Sequence, residues 1–230
     1  VPKALTPRHG GHSRGRSAPR SDDLPREVVD EVRRVTKPTQ VRDALSRLAR
    51  AAELLERGDT GAAAAEASKA KQLSPRSATV REVLGLALYG QRRWREALTE
   101  LKAYRRLSGR VDQNHVIADC LRAIGKPEEA VPLAEEELRA TVTNEAKAEA
   151  VIVAASALAD QDRFAEALAF LSRAKTKGSV SEPYTLRLWY VRGDILARAG
   201  RRDEAAEEFR KVMRHDASAF DVAERLAELG

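Results

Sequence analysis

Five alanines, Ala63, Ala97, Ala130, Ala167 and Ala205, recur at separations of 34, 33, 37 and 38 residues, each in the same local pattern. Twelve residues before them stand Ala51, Gly85, Ala118, Ala155 and Gly193, all small. Nine residues before them stand Leu54, Leu88, Leu121, Leu158 and Leu196, a leucine every time. One residue before, Glu96, Glu129, Glu166 and Glu204 fill four of the five positions. Small residues at these two places let antiparallel helices cross closely, and a glutamate in the first turn of the second helix meets the positive end of its dipole. A helix–turn–helix repeated at this period buries its apolar face only against its neighbours, so the pattern commits the chain to an all-α array.

The fullest copy is 186–217, where Trp189, Gly193, Leu196, Gly200, Ala205 and Phe209 are spaced as in a tetratricopeptide repeat. The segment resembles that family, and the ruler extends the resemblance to five units at 44–77, 78–110, 111–142, 148–181 and 186–217. What the resemblance implies is a right-handed α-solenoid of antiparallel helix pairs. The units depart from the family pattern in places. The early aromatic of the first helix survives only as Trp189, its place being taken by Arg47, Arg81, Asn114 and Val151. Pro132 falls inside the second helix of unit three, where the missing N–H is expected to kink or loosen it.

Terminal repeats need caps. At 24–37 a helix is expected, opened by Asp23 and Pro25 and striped by Val28, Val32 and Val35. Its predicted seat is the apolar face of Leu45, Leu48, Ala52 and Leu55. At 218–230 a second capping helix is expected, with Phe220, Ala223, Leu226 and Leu229 inward. Residues 1–23 hold almost nothing to bury and are expected to be a disordered basic tail.

The net charge of +6 is unevenly placed. Residues 1–26 carry six basic and two acidic groups, residues 76–110 nine and three, and residues 111–150 four and nine. With a single cysteine, Cys120, no intrachain disulfide can form, and a reducing compartment fits. The uncharged run 150–159 is too short to span a bilayer and reads as a buried helix. With no apolar stretch after the first basic residues, a cytoplasmic protein is expected.

Catalysis is not indicated. The two Ser-x-x-Lys matches at Ser68 and Ser172 occupy one repeat position and lack the other groups of an acylation site. Gly125-Lys126 has no upstream glycine and is followed by Pro127, so it is no phosphate loop. No cofactor or metal site is expected. The resemblance places a partner's peptide or helix on the first helices: Glu82, Leu86 and Tyr89; His115, Asp119 and Arg122; Glu149, Ile152 and Ser156; Arg187, Tyr190 and Asp194. These positions hold more acids than bases and no asparagine, unlike the clamp that holds chaperone C-terminal carboxylates. Tyr89 and Tyr190 are read either as anchors for the partner or as packing between neighbouring helices. A second surface is basic: Arg92, Arg93 and Arg95 around Trp94, then Lys102, Arg105, Arg106 and Arg110. With Arg8, Arg14, Arg16 and Arg20 of the tail it suggests an alternative, an RNA- or ribosome-associated factor whose phosphate contacts are salt-sensitive.

Overall fold

The structure, a computed structural model, describes residues 24–174 and 183–230. The tail and its four arginines lie outside the described residues. Among the described residues there are twelve α-helices and no strand. After α1 (Arg26–Val35) they run α2 (Val41–Glu56), α3 (Thr60–Leu73), α4 (Ala78–Gly90), α5 (Trp94–Ser108), α6 (Asn114–Ala123) and α7 (Ala130–Arg139). Then follow α8 (Asn144–Ala159), α9 (Phe164–Leu171), α10 (Pro183–Arg198), α11 (Arg202–His215) and α12 (Val222–Leu229).

One local geometry turns the chain between paired helices. The fifth residue before each ruler alanine is left-handed: Gly58, Arg92, Gly125, Asp162 and Gly200, with φ of 78, 60, 80, 59 and 76°. The N–H of the next residue, Asp59, Arg93, Lys126, Arg163 or Arg201, donates to the carbonyl of the column leucine at 2.9–3.0 Å. This is a Schellman closure, which satisfies a terminal carbonyl of the first helix and reverses the chain. The leucine column therefore marks both a core side chain and the carbonyl that ends the helix. The glutamate column has a further role: Arg93, Lys126, Arg163 and Arg201 each pair with the glutamate three residues on. Unit one lacks the glutamate, and there Asp59 caps α3 by accepting from the N–H of Ala62 at 3.0 Å.

The small column is buried throughout. A Cβ added to Gly85 would stand 2.6 Å from Leu101 Cγ, and one on Gly193 2.8 Å from Phe209 Cε1. In these two units glycine makes room for a large residue of the second helix, Leu101 or Phe209. At Pro132 the expectation is refined. The second helix of unit three opens with a 3-10 turn at Pro127–Glu129, and α7 starts at Ala130. Pro132 is thus the third residue of α7, so the loosening is confined to the first turn, where a missing N–H costs little.

The described chain forms two compact units that divide within α6, after Cys120. In the first, α2 packs on α3 and α4 on α5. Helix α1 lies on α2 and α4, with Val32 fully buried beside Leu45 and Leu48. Leu55 instead joins the neighbouring cluster around Ala51 and Leu88, so α1 covers only part of its predicted seat. In the second unit, α8 is buried on nearly every side, only Ser156 between Ala150 and Ala159 being partly open. Around it gather Leu188, Val191, Ile195, Leu196, Phe209 and Val222. The inward register of α12 differs from expectation: Val222 is buried, Leu226 and Leu229 pack against the cluster, and Ala223 is exposed. Phe220, left-handed at φ 58°, remains partly in solvent. No helix among the described residues is long and apolar enough to cross a membrane.

Candidate functional site

Repetition places equivalent first-helix residues one repeat apart, and their polar side chains pair from helix to helix. In the first unit, Tyr89 donates its hydroxyl to Asp119 Oδ2 at 2.7 Å, and its ring meets Trp94 edge-on with centroids 5.4 Å apart. Glu82 Oε1 accepts from Gln113 Nε2 at 2.9 Å. Burial raises the Glu82 pKa; the Gln113 hydrogen bond offsets this and nearby Asp112 adds to it. Leu86, Tyr89 and His115 are all partly open, as are Ala52 and Leu55 on α2. The combination is a modest apolar surface beside groups that can exchange hydrogen bonds.

In the second unit the pairing is denser. Asp160 accepts from Arg122 Nε at 2.9 Å and from Arg198 at 3.2 Å. Glu149 pairs with Arg187 at 2.8 Å, and Asp194 with Arg225 at 2.5 Å. Burial raises the Asp194 pKa against the lowering by Arg225 and Arg198. Ser156 turns its hydroxyl onto the Ile152 carbonyl of its own helix at 2.8 Å. Ile152 and Tyr190 are each only 3% exposed. Tyr190 is held by Phe209, Phe220 and the Asp221 carboxylate, so the packing reading of this tyrosine replaces the anchor reading. Ile152 is corrected in the same way, since a side chain inside the core offers a partner no surface.

The basic set also sorts by environment. Arg93 is paired with Glu96 and Arg110 with Asp112, and Arg105 has its own interactions. Arg92, Arg95, Lys102 and Arg106 are exposed. Trp94 leans on Tyr89 and is partly buried, so it packs inward from the turn.

Several structural pairs escaped the sequence reading. Arg47 pairs with Glu66 at 2.8 Å and Arg81 with Glu100 at 2.7 Å, Glu100 being nearly buried and also bound by Lys71 at 2.6 Å. An arginine here replaces the aromatic of the family pattern, with a glutamate on the second helix as its mate. The recurrence of Arg and Glu at a separation of 19 residues in both units was the available signal. Among the described residues no group of three or more His, Cys, Asp or Glu could hold a metal ion.

Family comparison agrees with this architecture. Profiles described as Tetratricopeptide repeat match residues 116–182 and 186–217. Those residues carry tetratricopeptide repeats. Among solved structures, the thermophilic tetratricopeptide protein TTC0263 of Thermus thermophilus is similar at a TM-score of 0.65 and 17% identity, over 81% of this chain and 98% of that one. YrrB, described as having an unusual peptide-binding site, gives 0.56 and 19%, over 83% and 94%. NprR in complex with its cognate peptide NprX gives 0.57 and 13%, over 87% of this chain and 64% of that one. No relative was found among curated proteins. At these identities the likeness is one of fold.

Proposed function

We propose that this chain is a non-enzymatic scaffold that binds a peptide segment or helix of a partner protein on its first-helix face, within a cytoplasmic setting. The observation that carries the reading is the partly open strip of Ala52, Leu55, Leu86 and Tyr89 in the first unit. It joins apolar area to a tyrosine hydroxyl, a side chain that contributes contact at low entropic cost. Two of the structurally similar proteins are described with bound or bindable peptides, which supports the same use of the fold. The second unit, with Ile152 and Tyr190 in its core and Glu149, Arg187 and Asp194 in ion pairs, serves mainly as support. Affinity capture from the native cell, comparing the full chain with Leu86→Asp/Tyr89→Ala, tests the reading. Loss of a bound partner with the helical signal intact supports it; an unchanged partner set refutes it.

A second reading is favoured by one observation, the exposure of Arg92, Arg95, Lys102 and Arg106 in the α4–α5 turn and on α5. Such a cationic face, aided by the tail arginines, fits RNA. Binding that falls steeply with salt and is lost on deleting residues 1–22 would favour it. No RNA binding at physiological salt would exclude it.

A further inference from the structure

Helix α1 is seated as a ligand would be. Leu48, fully buried beneath it, stands fifteen residues before its ruler alanine, as do Glu82, His115, Ile152 and Tyr190 in the other units. Leu45 likewise matches Glu149 and Arg187. The helix therefore covers the unit-one counterparts of Glu82 and His115, which stay partly open in their units, and of Ile152 and Tyr190, which the core covers in theirs. Val32 supplies the buried side chain, joining Leu45, Leu48 and Val80, while Val28 and Val29 pack partly alongside. The preceding residue supplies the polar contact. Glu31 accepts from the Ser77 hydroxyl at 2.7 Å and from the Ala78 N–H at 2.8 Å, at the N-terminus of α4. Ser77 and Ala78 are both buried, and Ser77 Oγ also accepts from the Val80 N–H at 3.2 Å. A carboxylate is thus held by a hydroxyl, a backbone N–H and the positive end of a helix dipole.

The hold on α1 is limited. It has ten residues, and Val32 is its single buried side chain. Its Glu27, Asp30, Arg33 and Arg34 face solvent. A helix this short is marginal by itself, so it persists through docking. Beyond Glu31, its end is fixed by the Thr36–Ser74 hydroxyl hydrogen bond at 2.6 Å.

We infer that the surface formed by Leu45, Leu48, Ser77, Ala78 and Val80 is a docking site for an amphipathic helix with a glutamate directly before a buried valine. Helix α1 is its resident occupant, and a partner protein's helix of the same pattern displaces it. This rests on the reading of the first-helix face as the partner surface, but it is tested at different residues. A tethered occupant lowers the apparent affinity for a competitor by the fraction of time the site is open.

The probe is a fluorescent peptide with the sequence of residues 24–37, titrated into the full chain and into full-length Val32→Ser. The variant should bind at least about tenfold more tightly than the parent, because its own α1 no longer fills the site. The same peptide with Glu31→Ala should lose most of that binding. Equal binding to parent and variant, or indifference to the peptide's glutamate, overturns the inference. Should Val32→Ser unfold the chain, Glu31→Gln takes its place, and hydrogen exchange of the parent gives an independent answer. The α1 amides should exchange by local opening, ahead of those of α2 and α4. Exchange of α1 only through global unfolding overturns displaceability. A parent dimer that trades α1 between copies, seen by light scattering, would make the occupant a second copy and also overturn it. A failure confined to these experiments leaves the effect of Leu86→Asp/Tyr89→Ala on partner capture untouched, and the converse holds.

Discussion

At the scale of single residues the repeat sets backbone conformations that some side chains fit poorly. Arg92 and Asp162 occupy the left-handed position that glycine holds in the other three turns. Arg92→Gly should stabilise the fold by about 1 kcal/mol, net of the added freedom of the unfolded chain. Asp162→Gly should give less, because aspartate tolerates this conformation. Denaturant melts of the single variants check both. Gly193→Ala should cost about 1–3 kcal/mol, since the new Cβ meets the buried Phe209 ring; Phe209→Leu in the same chain should recover part of it. Glu82 makes a pH prediction. Burial holds its folded pKa above the ordinary 4.5, so the unfolded state ionises first and stability falls as pH rises through that range. Glu82→Gln should therefore be more stable than the parent at pH 7 and no different below about pH 4, read from melts across pH. Much at this scale was legible. The small column reports close crossing, which depends on spacing alone, whereas the closure of each first helix at the leucine carbonyl is a backbone contact that the side-chain pattern does not spell out. The Arg47–Glu66 and Arg81–Glu100 pairs were not legible either, because a charged residue at an aromatic position reads as a departure until its mate on the facing helix is seen.

At the scale of elements the helices were readable and their rotation less so. The apolar residues of α12 allow two inward faces. The face adopted is chosen by polar partners: Asp221 accepts from Tyr190, and Arg225 reaches Asp194 and lies over the Phe209 ring at 5.6 Å. Arg225, a charged residue on a helix read only for its apolar side chains, is here the tie to α10. Removing Arg225 leaves the partly buried Asp194 carboxylate with only the more distant Arg198 at 4.0 Å, so Arg225→Ala should destabilise by about 1–2 kcal/mol, between the ranges for exposed and buried pairs. Hydrogen exchange should then rise first in α12 and the end of α11. Uniform change across the second unit would show that α12 does not act as a cap. For α1 the valine stripe announced an apolar seat, but only Leu45 and Leu48 of the four expected residues form it, since the reach of Glu31 to the start of α4 fixes where the helix lies.

At the scale of the whole chain, the tetratricopeptide architecture follows from a period that no single unit displays in full. Unit three lacks the early aromatic and begins its second helix with a 3-10 turn, yet its Ala118, Leu121, Gly125 and Ala130 keep the register. Cys120 reports on cooperativity at this level. It is buried, and desolvation pushes its thiol pKa up to about 12. Native protein should resist alkylation at pH 8 and react at the rate of a free thiol once unfolded; rapid native labelling would mean that α6 opens locally. The central claim concerns where the scaffold holds its partner. A photo-crosslinking amino acid at position 86, on the partly open strip, should capture a partner in the native cell, while one at the exposed position 99 on α5 should not. Capture at 99 with none at 86 would place recognition on the α5 face and contradict the account.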